Sequence, residues 1–130
     1  MTKLNIYIVE DEPILATLLK YTLQGMGHSV CGVAESYDDA VKGLQQTEAD
    51  LVITDIMLRG PETGIAIARY IKANLNMPFI FLSSISDEEM IADAMSTEPL
   101  SYLKKPVNKD ALNTAISLFT MLNIPEEKKH

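Results

Sequence analysis

The run Leu51-Val52-Ile53-Thr54-Asp55-Ile56-Met57-Leu58 decides how this chain folds. Three β-favouring apolar residues lead towards a carboxylate, three more apolar residues follow it, and the first turn signal is Gly60-Pro61. A short apolar run bounded by turn or helix material reads as a strand buried on both faces. Asp55 then stands where that strand leaves the core. A carboxylate there is costly unless a cation or hydrogen-bond donors meet it.

Upstream, residues 4–9 carry Leu4, Ile6, Ile8 and Val9 and read as a first strand. It breaks at Glu10-Asp11-Glu12-Pro13, where proline and acidic residues suit a helix start. Ile14, Leu15, Leu18, Leu19 and Leu23 keep helical spacing as far as the stop signals Gly25 and Gly27. A second strand spans Ser29–Ala34, Ser36 is placed to cap the next helix, and residues 37–47 carry Ala40, Val41 and Leu44 inward.

Downstream, Ile65, Ile67, Ala68 and Ile71 mark a third helix ending near residues 74–76. Residues 78–82 form a fourth buried strand that stops at Ser83-Ser84. Asp87 opens a fourth helix expected to bury Ile91, Ala94 and Met95. Residues 102–104 are a short fifth strand ending at Lys105-Pro106, and Asn108 caps a last helix carrying Leu112, Ala115, Ile116 and Phe119.

Five strands thus alternate with five helices, and strands this apolar need helices on both faces. Right-handed crossovers leave few topologies; the expectation is an α/β, flavodoxin-like (βα)5 three-layer sandwich with a parallel five-stranded sheet in order 2-1-3-4-5. At 130 residues one domain is expected over residues 1–122, followed by a polar, frayed tail at 123–130.

Composition narrows the function. With 47% hydrophobic and 22% charged residues and a net charge of −7, the chain lacks the clustered Lys and Arg that phosphate backbones demand, so no nucleic-acid partner is expected. Cys31 is the lone cysteine, which fits a reducing compartment. Neither a signal-peptide pattern nor a membrane-length apolar run is present. A cytoplasmic protein is expected. His28 reads as a structural or exposed histidine, and Cys31 as a small apolar packer.

In such a sheet, ligands bind where the strand C-termini emerge. Strand one ends in Glu10, Asp11 and Glu12, strand three in Asp55, strand four in Ser83 and Ser84, and strand five in Lys105. Carboxylates crowded together raise each other's pKa unless a cation neutralises them. Oxygen donors without His or Cys point to a hard cation, Mg²⁺ before Zn²⁺. Lys105 adds a second positive charge for an anion. The reading is a Mg²⁺-assisted phosphoryl site with Asp55 as nucleophile.

These residues resemble the receiver domain of two-component response regulators along nearly the whole chain. The resemblance rests on Glu10-Asp11, Asp55, Ser83, Tyr102 and Lys105-Pro106 in that order and placement. It implies that Asp55 accepts phosphoryl from a phosphohistidine on a histidine kinase or phosphotransfer protein, and that the domain catalyses only its own phosphorylation and dephosphorylation. It implies Mg²⁺ held by Asp11 and Asp55, by the Met57 backbone carbonyl, and by Glu10 mostly through water. Lys105 would pair with Asp55 and then with the phosphoryl group. Ser83 and Tyr102 would act as switch residues that alter a face made by the fourth helix, fifth strand and fifth helix. That face would signal to a downstream protein or output domain. A cis Lys105-Pro106 peptide is implied as well.

The chain departs from the family pattern at Arg59, where proline is usual four residues after the phosphoacceptor. Gly64 falls nine residues after Asp55 instead of eight, so the loop is one residue longer. Glu98-Pro99 replaces the usual Gly-Ala, Ser84 replaces Ala, and Ser101 stands near an Asp used by one DNA-binding subfamily for dimerisation. Residues two after the phosphoacceptor and two after the switch hydroxyl border the path of attacking water. Here they are Met57 and Ile85, so slow self-dephosphorylation is expected.

Three other functions fit less well. A flavin- or nucleotide-binding module cradles phosphate on a Gly/Ser/Thr loop at a helix start, and Glu10-Asp11-Glu12-Pro13 repels it. An aspartyl-phosphate hydrolase wants a second acid where Met57 stands. A pseudo-receiver docking module would not need the complete set of acids, hydroxyl and lysine.

Overall fold

The computed structural model describes residues 3–123, and side chains as far as residue 121. In chain order the elements are β1 (Asn5–Val9), α1 (Pro13–Gly25), β2 (Ser29–Ala34), α2 (Tyr37–Gln46), β3 (Leu51–Thr54), α3 (Gly64–Asn74), β4 (Phe79–Ser83), α4 (Glu88–Met95), β5 (Ser101–Lys104) and α5 (Lys109–Asn123). The sheet order is β2-β1-β3-β4-β5 and every pairing is parallel, as the alternation of elements predicts. The expected tail from residue 124 onward lies outside the described residues.

Alternate residues along each strand serve opposite layers, because successive Cβ atoms point to opposite sheet faces. Ile6, Ile8, Leu51, Ile53, Ile80 and Leu82 pack with Leu19 and Leu23 of α1 and with Leu112, Ala115, Ile116 and Phe119 of α5. On the other face Tyr7, Val9, Val52, Phe79 and Phe81 meet Ala40 and Leu44 of α2, Ile67, Ala68 and Ile71 of α3, and Ala94 of α4. Each fully buried Ile, Leu or Phe contributes about 1.5–3 kcal/mol, so even the four-residue β3 is held firmly from both sides. Register levels the strand ends: Val9 lies opposite Thr54, and Thr54 opposite Phe81.

Helix starts follow local chemistry. Ser36 Oγ accepts from Asp39 N at 3.2 Å, Asp87 Oδ1 from Glu89 N at 2.9 Å, and Asn108 Oδ1 from Ala111 N at 2.9 Å. Pro13 opens α1 without a side-chain cap. After α1, His28 N reaches back to Leu23 O at 3.0 Å while Gly27 takes φ of +96°, a left-handed turn that glycine adopts without strain. His28 itself is structural: it is buried, and its Nδ1 accepts from Leu4 N at 3.1 Å.

Met95, expected inside, is not, and two apolar residues of the α1 periodicity are also exposed. Met95 is 49% exposed because the eight-residue α4 presents one narrow stripe, buried at Ala94 and half-buried at Ile91, while Thr97 fills the space beyond. Ile14 and Leu18 are 82% and 52% exposed, since α1 meets the sheet through Ala16, Leu19 and Leu23 and carries the other two on its shoulder. Among the described residues, no helix is long and apolar enough to cross a membrane.

Candidate functional site

Two backbone steps just past the strand ends aim the central side chains. Asp55 N donates to Val9 O at 2.9 Å, extending the β1–β3 ladder by one residue beyond β3. Lys105 N donates to Ser83 O at 3.0 Å and does the same beyond β5, just before the cis Lys105-Pro106 peptide. Glu10 N is held by Ala34 O at 2.9 Å where β1 meets β2. Asp55, Glu10 and Lys105 are therefore fixed by the sheet itself.

Their side chains converge. Lys105 Nζ donates to Asp55 Oδ2 at 2.8 Å and to Glu10 Oε1 at 2.6 Å, with all three side chains largely buried. Glu10, Asp11 and Asp55 each bring a carboxylate oxygen within 4.8 Å of the others. The remaining oxygens are partly satisfied by backbone: Asp55 Oδ1 accepts from Ile56 N at 2.7 Å, and Glu10 Oε2 from Glu12 N at 3.3 Å.

Burial pushes the Glu10 carboxyl above its ordinary value and the Asp55 charge adds to this, against the opposing pull of the Lys105 hydrogen bond. For Lys105, burial pulls the ammonium down, but the hydrogen bonds to Asp55 and Glu10 outweigh it and hold the pKa above 10.5. Three carboxylates and one ammonium sum to −2 when all are ionised. An oxygen-only cluster of that charge suits a small divalent cation, because Mg²⁺ takes one or two carboxylates and keeps its other positions for water or phosphoryl oxygen.

The side chains of the two expected switch residues are engaged elsewhere, although Ser83 ends β4 at the same sheet edge. Ser83 is fully buried, and its Oγ accepts from Ile85 N at 3.2 Å. Tyr102 is turned inward: its hydroxyl is buried without a hydrogen-bond partner and its ring lies 6.1 Å from that of Phe81. Met57 follows the buried Ile56 and is itself 53% exposed.

The family Response regulator receiver domain matches residues 6–117. The chain belongs to the response regulator receiver family. It is 31% identical to the transcriptional regulatory protein ZraR of Salmonella typhimurium over 115 residues, 88% of this chain and 26% of that protein. It is 28% identical to the phyllosphere-induced regulator PhyR of Methylorubrum extorquens over 87% of this chain and 42% of that protein. The receiver therefore spans less than half the length of these curated relatives. Among solved structures, it resembles the signal receiver domain of a modulated diguanylate cyclase from Desulfovibrio desulfuricans with a TM-score of 0.83 and 34% identity, covering 88% of this chain and 91% of that one.

Two features of this receiver were not read from its sequence. A Cβ on Gly64 would sit 1.9 Å from the Asp55 carbonyl oxygen, so only glycine lets α3 start against the residue bearing the central carboxylate. That same carbonyl accepts from Thr54 Oγ1 at 2.8 Å. The spacing of Gly64 from Asp55 is visible in the sequence, but there it marks only the length of the loop. The second is the direct Glu10–Lys105 bond, where water-mediated cation contact was the expectation for Glu10.

Proposed function

We propose that this receiver takes a phosphoryl group from a phosphohistidine of a partner kinase or phosphotransfer protein onto Asp55 in a Mg²⁺-dependent reaction. The observation that carries this reading is the Lys105 ammonium shared between Asp55 and Glu10 beside the Asp11 carboxylate. Glu10, Asp11, Asp55 and the Met57 carbonyl would hold the cation, which supplies charge neutralisation for phosphoryl oxygens. An Asp55 carboxylate oxygen attacks phosphorus, the P–N bond breaks, and the histidine ring leaves with the electron pair and takes up a proton. Lys105 keeps its positive charge throughout and passes from carboxylate to phosphoryl oxygen. The Ser83 hydroxyl then leaves Ile85 N to donate to the same group, and Tyr102 packs behind it.

The donor reaches the site over α1. A cleft of about 280 Å³ lined by Leu15, Leu18, Pro106 and Val107 includes Glu10 and Lys105 in its wall, and Ile14 stands exposed on the same helix. A phosphohistidine presented there meets the acidic cluster directly. The α4–β5–α5 face would report the change to a downstream protein or output domain, and the cycle would run in the cytoplasm, with turnover limited to the domain's own phosphoryl group. The test is intact-mass analysis after incubation with a small phosphodonor and Mg²⁺. Wild type gains one phosphoryl group, and Asp55→Asn or removal of Mg²⁺ abolishes the gain. Equal labelling of the mutant would overturn the assignment.

A further inference from the structure

Residues 55–63, between β3 and α3, are fastened at three places. Gly64 N donates to Ile56 O at 2.7 Å, and Leu58 is buried in the core cluster that contains Ala34, Ala40 and Ile65. Arg59 forms an isolated parallel bridge with Ser36, the residue that caps α2. The Arg59 guanidinium also donates to Glu35 Oε2 at 3.2 Å. Glu35 in turn lines a cavity of about 250 Å³ together with Glu10, Pro13 and Lys20. The wall to which Arg59 is fastened is thus shared with the acidic mouth.

Met57 lies between these anchors, with Ile56 and Leu58 buried on either side of its half-exposed side chain. A loop left free would have to be ordered whenever its backbone carbonyl met a cation, and that ordering opposes binding. A loop already strapped down avoids the loss. We propose that Arg59 is a positioning residue for the cation site: its bridge to Ser36 and its pair with Glu35 fix the Met57 backbone beside the Glu10, Asp11 and Asp55 carboxylates and so raise Mg²⁺ affinity. This rests on the Mg²⁺-dependent phosphoryl reading above and adds to it a determinant outside the cluster.

The charge of the pair must be kept separate from its geometry, because removing Arg59 alone would unmask Glu35 and draw cations electrostatically. The double variant E35A/R59A deletes the pair without changing net charge, and the swap E35R/R59E restores a pair, again at the same net charge. Calorimetric Mg²⁺ titration of the unphosphorylated proteins gives the affinity, and amide hydrogen exchange in metal-free buffer gives the order of the loop. The expected result is an approximately two- to fivefold weaker Mg²⁺ affinity in E35A/R59A, the range an exposed ion pair can supply, with faster exchange at Met57 and Leu58. The swap regains both, and global stability changes little. Wild-type affinity and exchange in the double variant would overturn the positioning role while leaving the phosphoryl reading intact. A wild type that binds no Mg²⁺ would sink both.

Discussion

The Lys105 ammonium donates to Asp55 Oδ2 at 2.8 Å across 50 residues of sequence, and its second bond, to Glu10, makes it the cation that compensates both carboxylates in the absence of metal. Breaking a buried pair by deleting one partner leaves charge without compensation. Lys105→Met is therefore expected to lose about 1–3 kcal/mol of stability in metal-free buffer. Added Mg²⁺ should recover more of that loss than it adds to wild type, because the cation takes over the missing charge. Thermal melts with and without Mg²⁺ check this; identical melting of variant and wild type in both buffers would refute it.

Gly64→Ala forces a methyl group against backbone, not against a side chain that could rotate away. We expect a cost of about 1–3 kcal/mol together with slower phosphoryl uptake, since the Asp55 carbonyl or the start of α3 must shift. Urea denaturation and phosphorylation time courses measure the two effects. A variant within about 0.5 kcal/mol of wild type would show that the approach is looser than the structure describes.

His28 supplies a pH dependence separate from the acidic cluster. Burial lowers its pKa below 6.5, and its Nδ1 accepts from Leu4 N. Between the lowered folded value and 6.5 the unfolded chain binds more protons than the folded one, so stability rises with pH through that window and is lost as pH falls through it. His28→Asn removes this titration and retains an acceptor for Leu4 N. Denaturation midpoints measured between about pH 5 and pH 7 should therefore fall more steeply for wild type than for the variant as acid is added. Parallel profiles would remove His28 as the cause.

Met57 and Ile85 present apolar atoms at the two positions expected to border the path of attacking water, Met57 half exposed and Ile85 partly buried with its N–H on Ser83 Oγ. Self-dephosphorylation is expected to be slow. Met57→Asn or Ile85→Glu, by giving water a polar partner, should shorten the phosphoryl lifetime severalfold. Decay followed by intact mass after donor removal gives the answer, and unchanged lifetimes in both variants would count against it.

The order of elements, the parallel 2-1-3-4-5 sheet, most of the helix caps and the gathering of Glu10, Asp11, Asp55, Ser83 and Lys105 at one sheet edge were all legible in the amino acids. They depend on local periodicity, turn chemistry and the topological rule that places strand C-termini together. What could not be read that way depends on which atom meets which across a long separation. The Lys105–Glu10 bond, the closeness of Gly64 to the Asp55 carbonyl, and the Arg59–Ser36 bridge join residues whose spacing carries no pattern. Exposure of Ile14, Leu18 and Met95 was hidden for a related reason: helical spacing marks an apolar stripe, and only the packing of α1 and α4 on the sheet decides which part of that stripe is covered.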